Sequence, residues 1–139
     1  MKYVLDANVA IKWVLNEPHS VKAVQLRDEH RQQFHELISP DVFPVEVAHA
    51  LAKAERRGQI KIGHGQLLMA DVLATPPDFR PYLPLLHRAF ALASAARIGV
   101  YDCLYVALAE QEQCDLLTAD DRLIRTFPKH RIVALASLP

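Results

Sequence analysis

The apolar positions of the chain fall into short uninterrupted runs separated by longer amphipathic stretches. Tyr3-Val4-Leu5 has no polar break, so it reads as a strand buried on both faces, as a central parallel strand is. Leu37-Ile38, closed by Ser39-Pro40, is a second strand candidate. Leu116-Leu117-Thr118 is a third, and Ile132-Val133-Ala134-Leu135 is the last. Between them the pattern predicts helices over 8–15 and 19–34, broken at Pro18. Further helices are predicted over 41–57, ending at Gly58, and over 63–74, 85–98, 101–113 and 120–126. Pro76, Pro77, Pro81 and Pro84 predict an extended segment over 75–84 with a short strand around 80–83. Short apolar strands alternating with helices specify an α/β fold, a central parallel sheet with helices on both faces, in which helix predominates.

Composition narrows the class. The 139 residues suit a single domain spanning 1–139, and 51% hydrophobic with 23% charged residues is a globular balance. No run approaches the ~18 apolar residues of a spanning helix. Asp6 and Lys12 interrupt any signal-peptide pattern at the start. Cys103 and Cys114 form no CxxC motif, and Cys103 falls in an apolar helix as a reduced core residue. The expectation is a soluble cytoplasmic protein.

Sixteen basic residues balance sixteen acidic ones, which excludes a strongly basic nucleic-acid wrapper. The charge is nevertheless uneven. Residues 102–121 hold six acids and no Lys or Arg, whereas 122–139 hold four basic residues and no acid. Lys53, Arg56, Arg57 and Lys61 form a second basic group, opposed only by Glu55. Such patches suit a polyanion held beside an acidic site, or solvated helix faces.

Four acids stand out. Asp6 directly follows the first strand, and Asp120 closely follows the third; ligands of open parallel sheets bind outside strand C-termini. Glu46 lies at the edge of the stripe formed by Phe43, Val47, Ala50, Leu51 and Ala54. Asp102 heads an apolar helix face formed with Tyr105, Val106 and Ala109, with no Lys or Arg in its own segment. Helix capping, or the helix dipole for Glu46, explains each acid taken alone. Gathered together, the four would repel unless protonated or neutralised by cations. Oxygen ligands without a Cys or His set select Mg²⁺ or Mn²⁺ over Zn²⁺. Zinc spacings, Gly-rich phosphate loops and the GxSxG elbow are all absent.

The segments Val4-Leu5-Asp6-Ala7-Asn8, Val45-Glu46-Val47-Ala48, Tyr101-Asp102-Cys103-Leu104-Tyr105-Val106-Ala107-Leu108-Ala109 and Leu117-Thr118-Ala119-Asp120 together resemble the PIN-domain pattern. Length and motif order are similar to those of VapC-type toxins of toxin–antitoxin pairs. The resemblance implies a three-layer α/β/α fold and a ribonuclease that hydrolyses phosphodiester bonds with Mg²⁺- or Mn²⁺-activated water. It also implies an acidic site at Asp6, Glu46, Asp102 and Asp120. Asp6 and Asp102 are the first choice as direct metal ligands, and Glu46 and Asp120 bind directly, through water or at a second metal. Asn8 and Thr118 match supporting polar positions. A small antitoxin and a homodimer are implied as well. Lys53, Arg56, Arg57 and Lys61, with Arg122 and Arg125, are the candidates for holding RNA.

Two other classes compete. An aspartyl-nucleophile phosphatase also places Asp after the first strand, but wants a second Asp where this chain has Asn8. A PIN-like module without activity would bind RNA or protein and cut nothing.

Overall fold

The computed structural model describes residues 1–139. Five strands form one wholly parallel sheet: β1 (Lys2–Leu5), β2 (Glu36–Pro40), β3 (Asp78–Arg80), β4 (Asp115–Thr118) and β5 (Ile132–Ala134), in the order β3-β2-β1-β4-β5. Leu5, Leu37, Ile38, Leu116 and Leu117 are completely buried, as uninterrupted apolar strands require. Each such side chain stabilises the fold by roughly 1.5–3 kcal/mol through burial.

Seven helices cover the sheet: α1 (Ala7–Ala10), α2 (Ser20–Arg31), α3 (Phe43–Arg56), α4 (His64–Ala74), α5 (Leu86–Ala96), α6 (Val100–Glu112) and α7 (Asp121–Thr126). The path runs outward from β1 through β2 to β3, then crosses back to β4 and β5. Right-handed crossovers therefore put α1 to α4 on one face and α5 to α7 on the other, the expected three-layer arrangement. The direction reverses between β1 and β4, so a crevice opens at the C-terminal ends of these two strands.

Several expected boundaries move. The helix expected over 8–15 is the four-residue α1 followed by a 3-10 turn, Ile11–Trp13. Its alternate residues Ile11, Trp13 and Leu15 are all buried, a spacing that one face of an α-helix cannot satisfy. The helix expected over 19–34 begins at Ser20, because His19 has a left-handed φ of 67°, and it stops at Arg31. The strand in the proline-rich segment is β3, ending before Pro81 rather than spanning 80–83. The segment 75–84 thus supplies the edge of the sheet, pairing with β2 from Ile38–Asp78 to Pro40–Arg80. A 3-10 turn, Leu83–Leu85, occupies the start of the helix expected over 85–98.

Candidate active site

The reversal crevice is built first by the ends of β1 and β4. Asp6 leaves β1 with extended backbone and caps α1, its Oδ1 accepting from the Asn8 N–H at 3.3 Å. Its own N–H donates to the Leu117 carbonyl at 3.1 Å, which carries the β1–β4 ladder one residue further. Thr118, completely buried at the end of β4, donates its hydroxyl to Asp6 Oδ2 at 3.0 Å. Thr118 Oγ1 also accepts, from Asn8 Nδ2 at 3.3 Å and from the Asp120 N–H at 3.1 Å. Asn8 Oδ1 accepts in turn from the Ala119 N–H at 3.0 Å. Asp6, Asn8, Thr118 and Asp120 are therefore one hydrogen-bonded unit, although 110 or more positions separate the two halves.

The helical layers bring the other two acids. Glu46 sits in the first turn of α3, whose stripe of Phe43, Val47, Leu51 and Ala54 is buried. Asp102 sits in the first turn of α6, where Gly99 rather than Asp102 is the N-cap. Asp120 does cap its helix, Oδ1 accepting from the Arg122 N–H at 2.9 Å. A carboxylate has two oxygens and about four lone-pair positions, so capping by Asp6 or Asp120 leaves room for another ligand.

The acids feel one another. Burial raises the Asp6 carboxyl to about 7, and the charges of Glu46 and Asp102 push in the same direction. Burial raises Glu46, with Asp102 adding to it. Burial also raises Asp102, with Asp120 adding and Arg122 opposing. Tyr105, completely buried, is held well above its ordinary value by burial and then by Asp6 and Glu46. Glu46 Oε1 and the Tyr105 hydroxyl are both buried and neither makes a hydrogen bond of ordinary geometry, yet the two face each other closely enough that Tyr105 lowers Glu46 while Glu46 raises Tyr105. A buried carboxylate oxygen left without an ordinary hydrogen bond costs ~1–3 kcal/mol or more.

Hard oxygen donors and a buried carboxylate oxygen lacking an ordinary hydrogen bond are the chemistry that a divalent cation fits. No three acid, His or Cys side chains close on one point here. Mg²⁺ tolerates that, because it keeps several waters and takes only one or two carboxylates. Asp6, Glu46, Asp102 and Asp120 are the side chains that could hold it.

The basic residues divide. Arg122 does not stand apart from the acids: its guanidinium lies 3.5 Å from Asp102 Oδ2 and 3.5 Å from Asp120 Oδ2. The cation missing from the Asp102 segment comes from α7. Arg125 is exposed in the last turn of the same helix. Lys53, Arg56 and Arg57 are exposed at the far end of α3, about 10–16 Å along the helix from Glu46, and Lys61 lies beyond them. Tyr105 and the carboxylate contacts of Arg122 escape the sequence pattern. Tyr105 reads there as one more apolar-face residue, and its only signal is its position three residues after Asp102.

Residues 3–127 match the PIN domain family model. The chain is 33% identical over 130 residues to Ribonuclease VapC3 of Pyrobaculum aerophilum, covering 92% of this chain and 96% of that protein. The crystal structure of PAE2754 from Pyrobaculum aerophilum superposes with a TM-score of 0.70 at 19% identity, covering 99% of this chain and 94% of that one. VapBC2 from Rickettsia felis, solved bound to a DNA fragment from its promoter, superposes with a TM-score of 0.64 at 15% identity, covering 96% and 98%.

Proposed function

Because the chain belongs to the PIN-domain family, with relatives named Ribonuclease VapC, we propose that it is a divalent-metal-dependent endoribonuclease and the toxin of a VapBC-like toxin–antitoxin pair. The observation that carries this reading is the acid cluster at the β1–β4 crevice, where the charges of Glu46 and Asp102 act on Asp6 and that of Asp120 acts on Asp102. Asp6, Glu46 and Asp102 are raised by burial first and by neighbouring acids second, and a divalent cation joining them would offset that cost. Mg²⁺ or Mn²⁺, when bound, would supply an activated water and neutralise charge on the scissile phosphate.

The chain's own residues hold that chemistry in place. Asp6 and Asp102 approach the crevice from the sheet and from α6, and Glu46 approaches from the opposite helical layer. Thr118 fixes the orientation of Asp6 by donating to Oδ2, and Asn8 ties Thr118 to the Ala119–Asp120 turn. Asp6 is buried and Glu46, Asp102 and Asp120 are half-buried, so the surrounding protein keeps away part of the water that would screen them. The reading includes an RNA substrate, a small antitoxin partner and a homodimer.

The test is cleavage of RNA by the purified protein with Mg²⁺ or Mn²⁺ and with chelator. Cutting that requires the ion and is lost in Asp102→Asn, with the fold retained by circular dichroism, supports the proposal. Cutting by Asp102→Asn at the wild-type rate would make that carboxylate structural and overturn the site.

A further inference from the structure

Behind the Thr118–Asp121 turn lies a second cavity, of about 300 Å³. Its walls include Lys12, Pro18, His19, Ala119, Asp121 and Leu135. It shares Thr118 with the candidate site, where the same residue bonds Asp6. Lys12 interrupts an otherwise apolar run between the buried Ile11 and Trp13, and only 11% of its side chain is exposed. Its ammonium has one ion-pair partner, Glu17 Oε1, at the long distance of 3.4 Å. An ammonium has three donors, so two remain for an anionic oxygen.

We infer that this cavity receives one splayed nucleotide of the RNA strand, next to the phosphate held at the acid cluster. The inference rests on the ribonuclease reading above. The size is at the small end of ligand sites, which suits one nucleotide rather than a duplex. Sequence-specific recognition of RNA uses unstacked bases that are sandwiched by flat or apolar side chains and read at their edges. The exposed Pro18 and His19 supply the faces, Asp121 supplies an acceptor for an exocyclic amine, and Lys12 supplies the cation for the backbone. His19 lines the cavity, is exposed, and has a left-handed backbone conformation.

The experiment has two arms. In the first, a single-stranded RNA containing 4-thiouridine is photocrosslinked to the chelator-treated protein and to Lys12→Met, and its affinity is followed against salt. Crosslinks within 12–19 or 134–136, with the slope of log K on log salt flattened by roughly 0.7 in Lys12→Met, support the site. In the second, a randomised RNA pool is cut with Mn²⁺ present, and the ends are sequenced for the wild type, Asp121→Asn and His19→Gly. Glycine keeps the positive φ, so that variant folds without strain. A changed base preference at one position, with the other positions unaltered, supports the site. An unaltered profile in both variants, with crosslinks confined elsewhere, overturns it while leaving the nuclease reading intact. Crosslinks in the cavity without any cutting by the wild type would keep the nucleotide site and overturn the nuclease reading.

Discussion

The Thr118 hydroxyl donates to Asp6 Oδ2 at 3.0 Å, joining the ends of two adjacent parallel strands that lie 112 positions apart in the chain. Thr118 Oγ1 also accepts from Asn8 and from the Asp120 N–H, so one buried atom organises three other residues. Thr118→Val keeps the shape and removes every one of these bonds. The expected loss of stability is about 1–3 kcal/mol, the cost of leaving buried polar groups unpaired. Thr118→Ser should restore most of it. Urea melts of the two variants check this, and a Val variant as stable as Ser would mean that the bonds do not constrain Asp6.

The pH dependence of stability follows from Asp6. Its carboxyl titrates at about 7 in the folded protein, against an ordinary 3.8. Between those values the folded form keeps a proton that the unfolded chain has released. Stability of the metal-free protein therefore falls as pH rises through this window, by at most ~1.4 kcal/mol per pH unit. Denaturation with chelator at pH 5 to 8 should show this slope in the wild type and a flatter one in Asp6→Asn. Coincident profiles would place the Asp6 pKa near its ordinary value.

Arg122 competes with any added cation, since its guanidinium faces both Asp102 and Asp120. Arg122→Ala should bind Mn²⁺ several-fold more tightly by calorimetry. The change should be modest, because the arginine side chain is 62% exposed and solvent screens it. Weaker Mn²⁺ binding in the variant would instead make the arginine a support for the two carboxylates.

The remote basic group on α3 makes a separable prediction. Arg56→Ala with Arg57→Ala should weaken RNA binding and flatten its salt slope, by roughly 0.7 for each phosphate of a single strand that is no longer neutralised. Metal binding should stay unchanged, because these residues lie well along the helix from Glu46. Unaltered RNA affinity with weakened antitoxin binding would reassign the group to the protein partner.

The central strands are legible in the sequence because Tyr3-Val4-Leu5 and Leu116-Leu117 have no polar residue to confuse their period. The positions of Asp6 and Asp120 follow from those strands. The 3-10 turn at Ile11–Trp13 is not legible, because tertiary burial of alternate residues overrides the local helix pattern. The β3 boundary lies two residues earlier than the proline pattern suggests, since pairing with β2 sets where the strand begins. Arg122 is a different case. Its distance from Asp102 in sequence hides that α7 and α6 deliver them to the same crevice.

The sheet order also sets when the site can exist. β1 is made first, yet one of its two partners, β4, is made only after residue 115, and Thr118 and Asp120 come later still. A growing polypeptide on the ribosome holds Asp6 from the outset without the hydroxyl that orients it. Compact units fold when their elements have emerged, at roughly 5–20 residues per second of synthesis. The crevice therefore stays unformed until β4 and the Thr118–Asp120 turn have been made, and the proposed cutting activity cannot precede them.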